Sequence, residues 1–254
     1  MAARSIIRIE RAREMAQGVA KASERRFYIA VAISFGLLVF AGFSRTFYLH
    51  RLFRLPAPPP LIQVHGAIMT GWIVLFLAQV LLAANGRIAW HRRLGRVGAA
   101  YAALMIPIAL AATFGASQRE VRAHSQSILS QLNVLGLEVT QVLLFASFVG
   151  AAIWLRNKPS HHKRFMVLAT LSILPNAIVR LTLLTNSPFF TTNLGILVLW
   201  ALFVLAIVGM DSVRQRALHP AFAWGAPLAV MAVGTAWMVS RTAVWDDFWT
   251  RALS

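Results

Sequence analysis

Seven apolar stretches, separated by short polar segments, follow one another along this chain of 254 residues. A helix that crosses a bilayer needs about 20 consecutive, mostly apolar residues, and each stretch comes close to or exceeds that length. We therefore predict an all-α polytopic membrane protein with seven transmembrane helices, at residues 27–47, 62–84, 97–115, 128–155, 165–184, 194–210 and 221–240.

Composition supports a membrane protein. Hydrophobic residues make up 58% of the chain and charged residues 13%, and the mean hydropathy is +0.66. Soluble domains are about half apolar and a quarter charged, so a soluble enzyme and a nucleic-acid-binding domain are excluded. The chain has no Cys, which excludes disulfides, thiolate-bound zinc, iron–sulfur clusters and c-type haem attachment. Any metal ligand must be His, Met, a carboxylate or the backbone.

The net charge of +17 is explained by topology. Of the 25 Lys and Arg residues, 17 lie in segments on the side of the N-terminus, 7 lie on the opposite side, and Arg180 lies within the fifth span. The positive-inside rule then predicts a cytoplasmic N-terminus and an outer C-terminus, in a multi-pass protein of the bacterial cytoplasmic membrane. The expected partner of this charge is the anionic inner leaflet and not nucleic acid.

The spans divide the chain into three regions. Residues 1–26 form a basic cytoplasmic arm, residues 27–243 the transmembrane domain, and residues 244–254 a short outer tail. Ile6, Ile9 and Met15 recur near one helical face of the arm. This pattern is typical of an amphipathic helix lying on the inner leaflet, and a solvated basic tail is the alternative.

A weak internal sequence repeat suggests how the spans pack. Gln79-Val-Leu-Leu in span two recurs as Gln141-Val-Leu-Leu in span four, and each is followed by a basic inner loop that contains histidine. If spans two and three are a hairpin that is repeated as spans four and five, these four spans form a four-helix core with the other three packed around it.

Polar side chains within the spans are the first candidates for a site, because burying them in a bilayer is costly. In the outer half these are His65 and a predicted buried polar cluster of Glu138, Arg180 and Asn176. Two interpretations are open: a structural ion pair between Glu138 and Arg180, or a proton-handling or ligand-binding pair of His65 with Glu138. Asp211, at the inner end of span six, is expected to form a solvated pair with Arg214.

Histidines at span ends suggest a haem. Haem b in a bundle needs two His at one depth on facing helices. His91 begins span three, and His161 or His162 begins span five. In an antiparallel four-helix core these spans lie on a diagonal, which permits one inner haem with two axial histidines. His65 is the candidate for an outer haem or metal, although span four has no matching His. Interfacial histidines that bind nothing are the alternative.

Three motifs together resemble a known group of proteins. They are Val64-His65-Gly66-Ala67, His91-Arg92-Arg93-Leu94-Gly95-Arg96, and His162-Lys163-Arg164-Phe165-Met166 leading to Arg180. This pattern, over residues 62–185, resembles a largely uncharacterised family of bacterial multi-spanning membrane proteins. It is more distantly similar to di-haem b-type transmembrane cytochromes and ferric-reductase-like membrane domains. The resemblance implies that His65, His91 and His162 are ligands.

Three functional hypotheses follow. The first is a haem b or metal protein that takes part in membrane electron transfer, with a quinone or a membrane complex as partner; if it is an enzyme, it is a membrane oxidoreductase. The second is a non-enzymatic accessory or assembly subunit of a respiratory or photosynthetic complex. The third is a small-solute transporter that uses His65, Glu138 and Arg180.

Overall fold

The computed structural model describes residues 2–122, 128–182, 192–240, 242–245, 247 and 251. The described residues contain no strand, which confirms the all-α prediction. The helices are α1 (Ala2–Phe43), a π-helical segment (Ser44–Tyr48), α2 (Pro60–Ala84), α3 (Ile88–Arg122), α4 (Ile128–Trp154), α5 (Pro159–Ser172), α6 (Pro175–Thr182), α7 (Asn193–Gln215) and α8 (Pro220–Val239).

These helices match the predicted spans. Among the described residues six of them are long and apolar enough to cross a membrane, and α5 and α6, which are bent by 44° relative to each other, pass the same test when they are counted as one span. The bend falls at Ile173–Leu174, directly before Pro175. Because proline has no N–H and clashes with the preceding turn, the helix restarts at Pro175 instead of continuing. Pro107, in contrast, lies within the uninterrupted α3.

Helices α2 to α5 form the predicted four-helix core. Successive helices pack against one another in the order α2, α3, α4, α5. Trp72 on α2 closes the ring, because its indole N–H donates to Thr170 Oγ1 on α5 at 3.3 Å. The same indole packs edge-on against Phe145 of α4 with ring centroids 5.0 Å apart. The interior of the core is thus organised around one buried tryptophan.

The remaining helices pack around this core. α1 packs on α2, α6 and α7, and α8 packs on α4, α5 and α7. We call the end of the bundle formed by residues 85–91, 155–162 and 216–219 the inner end, after the predicted orientation. Trp90, Trp154 and Trp224 lie at this end and are 60%, 81% and 80% exposed. Exposed tryptophans at one level are typical of a membrane interface.

The N-terminal arm is helical, and it continues the first span. α1 runs without interruption from Ala2 to Phe43, a length of about 60 Å at 1.5 Å per residue. This is about twice the thickness of the hydrocarbon core. The arm therefore extends from the inner end along the direction of its own span.

Candidate histidine site at the inner end

A cavity of about 1400 Å³ lies at the inner end, between α1 and the four-helix core. Its walls come from all of the first five helices. Trp72 and Phe76 line it and are only 2% and 5% exposed, so part of the cavity lies deep between the helices. Basic side chains from α1, α3 and the segment before α5 also line it: Lys21, Arg25, Arg92, Arg93, Arg96 and Arg156.

His91 and His162 both line this cavity. Each lies in the first turn of its helix, α3 or α5, which places the two at one depth. Their ring centroids are 6.2 Å apart and their planes are perpendicular, at 88°. The structure thus brings together, on the predicted diagonal of the core, the two histidines that the sequence suggests as a pair.

Both imidazoles are oriented by the backbone of the preceding helix. His91 Nδ1 lies 3.2 Å from the carbonyl oxygen of Gln79 on α2, and His162 Nδ1 lies 2.8 Å from that of Ala152 on α4. A carbonyl oxygen only accepts, so each Nδ1 carries the proton and donates it. In a neutral ring Nε2 then carries no proton, and its lone pair can bind a metal. Backbone carbonyl oxygens commonly fix histidine ligands of metals in this tautomer.

The pair supplies two nitrogen ligands. Within the described part of the chain, no group of three or more His, Cys, Asp or Glu side chains could hold a metal ion. Protein zinc sites use three or four side-chain ligands. Two imidazoles therefore suit a metal whose other ligands come from its own macrocycle better than a bare zinc ion.

His161 points to a different neighbour. Its ring contacts that of His219, at the start of α8, with centroids 4.6 Å apart. His219 Nδ1 accepts from the backbone N–H of Ala221 at 3.1 Å and caps α8, and its Nε2 lies 2.9 Å from Ser160 Oγ. Burial and the nearby Arg164 guanidinium lower the pKa of His219 to about 4. Of the two adjacent histidines that begin α5, the structure therefore places only His162 at the cavity.

The outer polar cluster is looser than the sequence suggests. Glu138 shares a hydrogen bond with Thr113. Arg180 lies 4.5 Å from the ring centroid of Phe43 and donates to the carbonyl oxygen of Asn176 on its own helix at 3.4 Å. The charges of Glu138 and Arg180 interact, but the ion pairs formed within 4.0 Å by the described residues do not include this one.

His65 lies near this cluster, close enough to Arg180 for the two side chains to interact electrostatically. Its Nδ1 is buried without a hydrogen-bond partner among the described residues. His124 lies outside those residues. At the outer end the described residues also include His50, whose Nδ1 lies 2.9 Å from the carbonyl oxygen of Phe47. The two histidines whose rings face one another across a cavity, His91 and His162, are at the inner end.

A buried charge cluster beside the cavity was not expected. Asp211 and Arg164 are both 0% exposed, and Arg164 Nε donates to Asp211 Oδ2 at 2.8 Å. Arg214 also pairs with Asp211, at 2.5 Å, as the sequence suggests. The prediction of a solvated pair is wrong, however, because α5, α7 and α8 enclose Asp211 at the inner end. Sequence spacing does not reveal Arg164 as its partner, since 47 residues separate the two.

No protein-family model, curated protein or solved structure significantly matches this chain.

Proposed function

We propose that this integral membrane protein binds one haem b between His91 and His162 and takes part in electron transfer in the membrane. The observation that carries the proposal is the geometry of this pair. Two imidazoles from opposite sides of a four-helix core face one cavity, and each is fixed with Nδ1 on a backbone carbonyl.

The distance between the rings would allow both imidazoles to hold one metal. An imidazole nitrogen binds a metal at about 2.0–2.1 Å, so a metal held by two imidazoles would require ring centres within roughly 6–7 Å of each other. The observed separation of the His91 and His162 centroids is 6.2 Å.

The cavity around the pair also fits a haem. Buried apolar and aromatic side chains such as Trp72, Phe76 and Val149 line it, as in the interior of haem-binding helix bundles. Small residues of α3 line the wall beside His91: Gly95, Gly98 and Ala99. At Gly98 an added Cβ would approach Leu75 Cδ2 on α2 to 3.3 Å, so the glycine allows α3 to pack closely on α2. Arg92, Arg93 and Arg96 follow His91 directly and offer charge-assisted hydrogen bonds to propionates.

In such a site the haem would supply one-electron chemistry, and the protein would hold it and determine the polarity of its surroundings. The carbonyl oxygens of Gln79 and Ala152 fix the tautomer of each ligand and make its Nε2 more basic. Trp72, Phe76 and the other apolar walls exclude water and keep the local dielectric low. The basic side chains at the mouth favour the negatively charged groups of the cofactor.

The test is a set of single histidine variants of the full-length protein, purified after expression with added haem precursor. We expect the wild type to show a Soret band and a reducible α band. His91→Ala and His162→Ala should each lose this bis-histidine spectrum. His161→Ala is the matched control, because His161 is the neighbour of His162 on α5 and contacts His219 instead of the cavity; it should retain the spectrum.

Imidazole added to His162→Ala should restore the low-spin spectrum in part, which a general folding defect would not allow. A wild-type protein that takes up no haem would overturn the proposal. So would a loss of the spectrum in His161→Ala equal to that in His162→Ala.

A further inference from the structure

The inner cavity is larger than one cofactor requires. Single cofactor and small-molecule sites have volumes of about 300–1000 Å³, whereas this cavity measures about 1400 Å³. His91 and His162 belong to α3 and α5. A second wall is formed by α1, through Lys21, Glu24, Arg25 and Tyr28. The cavity therefore has space beside the histidine pair, on the side of α1.

Tyr28 presents an unsatisfied polar group on this wall. The residue is 8% exposed, and its hydroxyl is buried without a hydrogen-bond partner among the described residues. Buried hydroxyl groups in native proteins nearly always have a partner, since leaving one unpaired costs free energy. The histidine pair does not use this hydroxyl. Its position in a cavity therefore points to a second ligand that carries a hydrogen-bond acceptor.

The surroundings of Tyr28 indicate the chemistry of that ligand. Its ring lies in the hydrophobic cluster that also includes Trp72 and Phe76, both of which line the cavity. Lys163 Nζ lies 5.1 Å from the centroid of the Tyr28 ring and forms an ion pair with Glu24 of α1. This side of the cavity thus combines the aromatic surface of Trp72 and Phe76 on α2 with two hydrogen-bond donors, the Tyr28 phenol on α1 and the Lys163 ammonium on α5.

The position of the cavity suggests entry from the lipid. α1 and α3 both pack against α2, and both line the cavity, which places it in the cleft between them. An amphiphilic ligand dissolved in the inner leaflet could reach this cleft sideways. The basic side chains at the mouth would attract an anion, but the positive-inside pattern and the propionates of a haem already explain them. The Tyr28 hydroxyl is explained by neither.

We propose that the headgroup of a lipid-soluble quinone binds in this cleft, beside α1, with the Tyr28 hydroxyl donating a hydrogen bond to one quinone carbonyl and Lys163 close to the same ring. A quinone is a flat, apolar ring with carbonyl acceptors, which matches this wall. The inference rests on the proposed function, because it names the partner with which the haem of the same cavity would exchange electrons.

The experiment measures saturable binding of radiolabelled decylubiquinone to the full-length protein in nanodiscs, with binding to empty nanodiscs subtracted. Tyr28→Phe removes only the hydroxyl and should weaken binding about tenfold, the usual effect of one lost hydrogen bond. Tyr48→Phe is the matched control. Its hydroxyl bonds to Thr70 near the middle of α2, and neither residue lines the cavity, so we expect wild-type affinity.

Three results would overturn the inference: no saturable binding above empty nanodiscs, wild-type affinity in Tyr28→Phe, or displacement of the quinone by added phosphatidylglycerol, which would indicate a site for an anionic lipid. The haem content of the same samples is measured separately. Haem without quinone binding would overturn this inference and leave the proposed function. Tyr28-dependent quinone binding without haem would support the quinone site and overturn the proposed function.

Discussion

Asp211 is the common anion of the buried charge cluster, and this role predicts an asymmetric effect of substitutions. It accepts from Arg164 Nε at 2.8 Å, from Arg214 Nη2 at 2.5 Å and from Gln215 Nε2 at 2.5 Å. Asp211→Asn leaves two arginines beside each other, one of them fully buried. Arg164→Met leaves Asp211 still paired with Arg214.

The magnitudes follow from the cost of an uncompensated buried charge. Removing one partner of a buried ion pair typically costs about 3–5 kcal/mol, whereas an apolar replacement of the whole pair is often neutral. We expect Asp211→Asn to lose about 3–5 kcal/mol of unfolding free energy. Arg164→Met should lose less, about 1–3 kcal/mol, because a neutral Asp211–Arg214 pair remains and the lost terms are hydrogen bonds and packing.

The assay is SDS-induced unfolding of the purified protein in mixed micelles, followed by circular dichroism. Asp247→Asn is the control, because Asp247 forms an exposed pair with Arg251 one helical turn away, at 2.6 Å, and is itself 62% exposed. Such pairs contribute about 0.3–0.5 kcal/mol. A loss in Arg164→Met equal to or larger than that in Asp211→Asn would refute the idea that Asp211 neutralises both arginines.

Two smaller changes test other parts of the fold. Gly42→Ala should lower the free energy of unfolding by about 1–3 kcal/mol, because the new Cβ would meet the backbone carbonyl of Ala177 on α6. Gly209→Ala is the control and should not destabilise the protein, because its Cβ would meet nothing within 4 Å. Equal losses in the two variants would contradict the close packing of α1 on α6. Burial and Arg164 lower the pKa of His219 from 6.5 to about 4. Between these two pH values the unfolded chain binds a proton at His219 and the folded chain does not. The free energy of unfolding should therefore fall as the pH drops from 6.5 towards 4. In unfolding curves over this window His219→Asn, which keeps a capping acceptor, should lose less than the wild type; parallel losses would count against His219 as the source.

Hydropathy predicted the helices well, because the bilayer requires each span to be long, apolar and fully hydrogen-bonded within itself. Hydropathy could not predict the exact position and angle of the bend in the fifth span. A proline such as Pro175 marks the place, but the surrounding packing decides between a kink and a complete break. The 44° break between α5 and α6 therefore came from the structure.

The sequence predicts the pairing of His91 with His162 but not the ion pair of Arg164 with Asp211 beside it. One physical reason explains this difference. His91 and His162 are each fixed by a local rule, since both begin a helix at the same end of the bundle. The partnership of Arg164 with Asp211 depends on how α5 is rotated against α7. Sequence periodicity leaves that rotation free when a helix is apolar on most sides.

This rotation decides which histidine serves the cavity. Residues two apart on a helix point in nearly opposite directions, because each step turns the chain by about 100°. His162 faces the cavity, and Arg164 faces Asp211 on α7. The buried pair thus anchors α5 on one side and thereby presents His162 on the other. Rotating α5 by one residue would bring His161 towards the cavity and draw Arg164 away from Asp211. The charge cluster therefore determines which histidine of α5 faces the neighbouring cavity.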